Sequence, residues 1–139
     1  MQVIKFCFHD RLTTLKNRRK LRSVIEGLFI KERKKLKKLT YVFCSDSYLI
    51  GINKEFLKHD FYTDIITFDL SSSKGEIEGE VYISVDRVKD NAVAVKTTVK
   101  NEMQRVIFHG ALHLCGYKDK KKKDTAVMRI KEEEYLKQL

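Results

Sequence analysis

Apolar and polar positions switch between two periods along the chain, and the switches mark out its elements. Residues 2–8, Q-V-I-K-F-C-F, are apolar at Val3, Ile4, Phe6, Cys7 and Phe8. That is the pattern of a strand covered on both faces. Leu21, Val24, Ile25, Leu28 and Phe29 then recur at helical spacing. They predict an amphipathic helix capped by Thr13 or Thr14, with the stripe in the core. Residues 39–44, L-T-Y-V-F-C, are β-branched and aromatic and read as a strand. Asp46 predicts the cap of a short helix through Tyr48, Leu49, Ile52, Phe56 and Leu57, ended by Lys58, His59 and Asp60. Residues 63–70 form a further strand, residues 71–75 (S-S-S-K-G) a loop, and residues 79–85 a strand that pairs with the previous one across it. Asp86 is a candidate helix start, whereas the period of A-V-A-V at 92–95 is ambiguous.

A helix over residues 98–115 follows. Val99, Met103, Val106, Ile107, Ala111 and Leu114 make it apolar on most sides, so it lies inside the domain. Glu102, Val106, His109 and His113 fall along one side of it. A last helix over residues 123–137 carries Val127, Ile130 and Leu136, with Met128 near them. No repeat or linker interrupts this order, and residues 1–139 read as one domain.

The hydrophobic fraction of 42% fits a globular chain. No apolar run has the length of a membrane span, and the first residues lack the layout of a signal peptide. Cys7, Cys44 and Cys115 are an odd number at irregular spacing. This argues against a disulfide framework and for a reducing, cytoplasmic compartment. The net charge of +10, from 29 Lys and Arg against 19 Asp and Glu, suggests a polyanionic partner, most commonly nucleic acid. The basic faces around the first helix fit either such a partner or plain solvation.

The candidate chemistry is concentrated in residues 109–119, H-G-A-L-H-L-C-G-Y-K-D. His109 and His113 are four apart, which stacks two imidazoles on one helix face. Gly116 can end the helix in a left-handed turn that brings Asp119 back toward them. Two imidazoles and a carboxylate describe an open three-ligand site for one divalent metal ion. The spacing matches the zinc-hydrolase signature H-E-x-x-H-x-x-G-x-x-H, with two departures. Gly110 replaces its Glu, and Asp119 replaces its third His. Glu102 and Glu80 are candidates for orienting a ligand or moving a proton. Lys118, Lys120, Lys121, Lys122 and Lys123 border Asp119 and are candidates for gripping an RNA backbone.

These residues resemble the YbeY family of bacterial metal-dependent endoribonucleases. Glu102 followed by His109 through Tyr117 is similar to its Glu and His-Gly-x-Leu-His-Leu-x-Gly-Tyr signature. Residues 60–68, D-F-Y-T-D-I-I-T-F, resemble its Asp-x-x-Thr-Asp-Val-Leu-Ser-Phe, and residues 79–84, G-E-V-Y-I-S, its Gly-Asp-Ile-x-Ile-Ser. Ile52-Asn53 matches its Leu-Asn. The family's third His falls on Asp119, and its Arg, proposed for catalysis or RNA binding, falls on Leu57. Lys58 is a nearby cation able to stand in for it.

The resemblance implies an α/β (α+β) fold, a mixed sheet of about four strands flanked by helices, with the central buried helix carrying the metal-ligand histidines. It also implies an enzyme, a metal-dependent endoribonuclease holding one zinc-type ion (Zn2+) on His109, His113 and Asp119. Its role would be 3′-end maturation of small-subunit ribosomal RNA and ribosome quality control. Partners would be ribosomal RNA, the small ribosomal subunit and ribosome-assembly proteins, with no membrane. Two alternatives stand beside it. One is a metalloprotease-like hydrolase, against which Gly110 argues. The other is a non-catalytic ribosome-assembly factor that binds RNA around a structural metal.

Overall fold

A computed structural model describes residues 3–72 and 75–139. In chain order these form β1 (Ile4–Phe8), α1 (Arg18–Lys31), β2 (Lys35–Cys44), α2 (Asp46–Leu57), β3 (Ile65–Asp69), β4 (Glu76–Ser84), α3 (Val85–Ala94), α4 (Val99–Leu114) and α5 (Lys122–Leu136). Of the predicted first strand, Gln2 lies outside the described residues, as do Ser73 and Lys74 of the predicted loop.

The sheet runs β1-β2-β4-β3. β1 and β4 flank β2 in parallel, and β3 pairs antiparallel with β4 from Ile65↔Ile83 to Asp69↔Gly79. This is the mixed four-stranded sheet flanked by helices that the resemblance implied. β2 starts at Lys35, earlier than its apolar run, because cross-strand pairs extend it: Lys35 meets Glu76 at 3.8 Å and Lys37 meets Glu78 at 3.9 Å.

Strand alternation divides the sheet into two faces. Ile77, Gly79, Val81 and Ile83 of β4 are inward on one face. There they join the core with Leu39, Tyr41 and Phe43 of β2, the α1 stripe, and Val106, Ile107, Phe108 and Ala111 of α4. All five residues of the α1 stripe are buried. The helix itself begins later than Thr13 or Thr14, at Arg18, because Asn17 in the left-handed region supplies the cap to the Lys20 N–H. The second face carries a smaller cluster of Cys44, Leu49, Ile52 and Ile66, covered by α2. Ser45 caps α2 and Asp46 occupies its first turn; Ser84 likewise caps α3 ahead of Asp86. Phe56 and Leu57 of α2 remain exposed.

α4 is the buried central helix, opened by Thr98. Its approach to the sheet is set by two glycines. A Cβ on Gly110 would meet Val81 Cγ1 at 2.8 Å, and one on Gly79 would meet Leu114 Cδ1 at 2.8 Å. α5 lies against α4 by a face that the apolar pattern misplaced. Met128, Glu132 and Tyr135 are buried, whereas Val127 and Ile130 are exposed. Polar groups hold the inward positions because each finds a partner: Glu132 meets His109 and Arg105, and Tyr135 donates to Glu32 at 3.1 Å.

Candidate active site

α4 ends at Leu114, and Gly116 at φ 104 turns the chain back. Its N–H donates to the His113 carbonyl at 2.9 Å, and the Tyr117 N–H donates to the Leu112 carbonyl at 3.1 Å. A left-handed residue at this point favours glycine. The turn is anchored further on, where Tyr117 Oη donates to Glu32 at 2.7 Å and Thr125 Oγ1 donates to the Asp119 carbonyl at 2.8 Å. The consequence is that Asp119 faces the two histidines. Its Oδ2 lies 3.1 Å from His109 Nε2 and 3.5 Å from His113 Nε2. Ligand atoms of the three residues all fall within 4.8 Å of one another.

The donor set fits a divalent ion. Two imidazole nitrogens and one carboxylate oxygen supply three ligands, and Asp119, 39% exposed, leaves a side open to solvent for a fourth. The proton distribution fits as well. Burial pulls His109 down, but the hydrogen bond and charge of Glu132, followed by the charges of Asp119 and Asp64, outweigh it and hold the ring above its ordinary value. Burial, then the charge of His109, pushes His113 below its ordinary value. The site thus gathers carboxylates around one imidazole and favours the neutral form of the other, and a metal cation competes with the proton for the same ring nitrogens and carboxylates.

The three residues lie in a cleft of about 780 Å³ between the 58–64 loop, β3, α4 and α5. Glu102 lines it, as its place on the His109 side of α4 predicted. Burial raises the Glu102 carboxyl above its ordinary range, against the charge of Arg105 3.7 Å away. Glu80 does not reach the cleft. It stands on the opposite face of the sheet, accepting a 2.9 Å hydrogen bond from Tyr82 Oη. Of the five candidate lysines, Lys120 lines the cleft, while Lys118, Lys121, Lys122 and Lys123 are exposed beside it. Leu57 also lines the cleft, whereas Lys58 caps α2 outside it.

Asp64, Arg105, Arg129 and Glu132 are among the polar residues of this cleft that sequence reasoning did not single out. Glu132 Oε2 lies 2.6 Å from His109 Nδ1. Its Oε1 accepts from Arg105 at 3.1 Å, and Arg105 also bridges to Glu133. Asp64 is raised above the ordinary carboxylate range, chiefly by burial. Its place in the T-D-I-I-T-F stretch was the one available signal. Gly110, where a protease would need its glutamate, is pressed against Val81, so that position has no side-chain space facing the cleft.

The chain matches the family model described as Endoribonuclease YbeY over residues 8–139. It is 49% identical over 135 residues to the Endoribonuclease YbeY of Cytophaga hutchinsonii, covering 97% of this chain and 94% of that one. It is 45% identical over 113 residues to the Endoribonuclease YbeY of Flavobacterium psychrophilum, covering 81% and 80%. The fold is similar to the solution structure of a Thermotoga maritima protein, with a TM-score of 0.59 and 26% identity, covering 97% of this chain and 87% of that one.

Proposed function

Because the chain belongs to the YbeY family of endoribonucleases, we propose that it is a metal-dependent endoribonuclease that matures the 3′ end of small-subunit ribosomal RNA and serves ribosome quality control. Its substrate is RNA and its ion Zn2+. It works in the cytoplasm, with the small ribosomal subunit and ribosome-assembly proteins as partners. Among the described residues no helix is long and apolar enough to cross a membrane. The observation that carries the reading is the convergence of His109 Nε2 and His113 Nε2 on Asp119 Oδ2 inside the cleft.

When bound, a divalent ion supplies a Lewis acid that polarises a phosphoryl oxygen or acidifies a water. The chain's own residues do the rest. His109, His113 and Asp119 hold the ion. Glu132 fixes His109: an ionised carboxylate only accepts, so Nδ1 carries the hydrogen and Nε2 presents its lone pair. Arg105 compensates the buried Glu132 charge. RNA carries its own 2′-hydroxyl nucleophile, so the protein needs to position it and accept its proton. Besides Glu132, the buried Glu102 and the half-buried Asp64 are carboxyls that line the cleft, both with proton affinity raised mainly by burial. Lys118, Lys120, Lys121, Lys122 and Lys123 give the strand's backbone a basic approach to the cleft.

The non-catalytic alternative is not favoured, since the relatives carry the name of an endoribonuclease. Nor is the protease-like one, since Gly110 packs on the sheet. The purified protein is expected to cut single-stranded ribosomal RNA, to lose that activity to a chelator and to regain it with added zinc. Cleavage indifferent to chelation would reject the reading.

A further inference from the structure

The 58–64 loop forms the cleft wall opposite α5, and it is built with care for two rings. Asn53, 2% exposed, commits both its main chain and its side chain to this loop. Its carbonyl accepts from the His59 N–H at 3.1 Å, and its Nδ2 donates to the Phe61 carbonyl at 3.0 Å. Lys58, at φ 58 and ψ 28, makes the turn that allows both. Lys54 holds Asp60 at 3.2 Å. Between these anchors the rings of His59 and Phe61 stack, centroids 5.0 Å apart and 23° from parallel.

Phe61 nevertheless stays 55% exposed. Apolar ring surface left in water gains free energy when it is covered, so a ring held open on an anchored backbone is suited to something that covers it later. Both rings line the same cleft as His109, His113 and Asp119. The other wall presents Lys120 and Arg129, neither of which has an ion-pair partner within 4.0 Å among the described residues. A nucleic-acid strand has the matching chemistry, with an anionic phosphate and a flat π-face in every nucleotide.

We propose that His59 and Phe61 form a base-stacking subsite, in which an unstacked nucleobase adjoining the phosphate at His109, His113 and Asp119 covers the open face of Phe61. The proposal rests on the endoribonuclease reading and adds to it where a base is held. Stacking accepts any base, so the subsite recognises a free ring face and not a sequence. The Asn53 clamp is the means of presenting that face without an ordering cost at binding.

The chain contains no Trp, so Phe61→Trp places a single indole at the subsite. Two titrations are made with the zinc-loaded protein and a 2′-O-methyl RNA oligomer, which lacks the nucleophile and is not cut: anisotropy of the end-labelled oligomer, and indole fluorescence with the unlabelled one. The expected result is indole quenching that saturates in step with the anisotropy. Phe61→Ala should weaken binding about tenfold, the lower part of the range for one lost base stack. An oligomer with the same phosphates but abasic sugars should bind wild type and Phe61→Ala equally and leave the indole unquenched. RNA binding without quenching, or an abasic oligomer bound as tightly as RNA, overturns the subsite and leaves the endoribonuclease reading intact. No anisotropy change with any variant would reject that reading, and the subsite with it.

Discussion

Glu132 holds the back of His109: Oε2 of the one lies 2.6 Å from Nδ1 of the other, across 23 residues of sequence. The pair joins α5 to α4 at the point where the ion is expected. A carboxylate behind a ligand imidazole fixes its tautomer and orientation, and losing it typically costs about 10–100-fold in metal affinity. Glu132→Gln should therefore bind zinc at least about tenfold more weakly in an indicator competition, with an unchanged circular dichroism spectrum. Unaltered affinity would show that the contact is structural only.

This pair also marks the boundary of what the sequence can tell. His109, His113, Gly116 and Asp119 lie within one helical turn sequence and its cap, where spacing alone fixes geometry. Glu132 sits in an E-E-E run at 132–134, and only the packing of α5 on α4 decides which glutamate turns inward. The apolar pattern misplaced α5 for the same reason, since its buried face includes Glu132 and Tyr135. Glu80 is a carboxylate of the right chemistry, but the β4 alternation that buries Gly79 and Val81 sends it to the other face. The helix starts at Ser45 and Ser84 were legible to within a residue or two, since Ser and Asp both cap and local sequence does not choose between adjacent candidates. The antiparallel β3–β4 pairing was legible from the loop between the two strands, whereas the rest of the order, β1-β2-β4-β3, depends on long-range packing, and the resemblance implied only a mixed sheet of about four strands.

Gly110 tests how closely α4 rests on the sheet. Gly110→Ala would normally favour a helix, but here the added Cβ meets Val81 Cγ1 at 2.8 Å. The substitution should destabilise the protein by about 1–3 kcal/mol, read as a lower midpoint in urea with the slope unchanged. A gain in stability would mean that the sheet yields easily.

Glu32 couples stability to pH. Burial opposes its charge, but hydrogen bonds from Tyr117, Tyr135 and Lys131, with the Lys131 charge, outweigh it and hold the carboxyl below its ordinary value of 4.5. A depressed carboxyl contributes stability that is fully present above the unfolded value and is lost as pH falls through the folded one. Glu32→Gln should cost about 2 kcal/mol near neutral pH. The gap in melting temperature between wild type and variant should close as pH drops below about 4. A gap that persists in acid would reject the linkage.

The lysines beside Asp119 bear on RNA affinity through salt. Each phosphate contact on a single strand contributes about 0.7 to the slope of log affinity against log salt. Lys120→Ala should flatten that slope by about this amount, and replacing Lys118, Lys121, Lys122 and Lys123 as well should flatten it further. An unchanged slope would assign these side chains to solvent.

The most direct test of the account is zinc content measured beside RNA cleavage for wild type, His113→Ala and Asp119→Ala. The geometry predicts about one ion per wild-type chain, as one three-ligand site holds, with metal and cleavage lost together in both variants. Cleavage that survives in a metal-free variant would contradict the account, as would a wild-type protein that binds no metal.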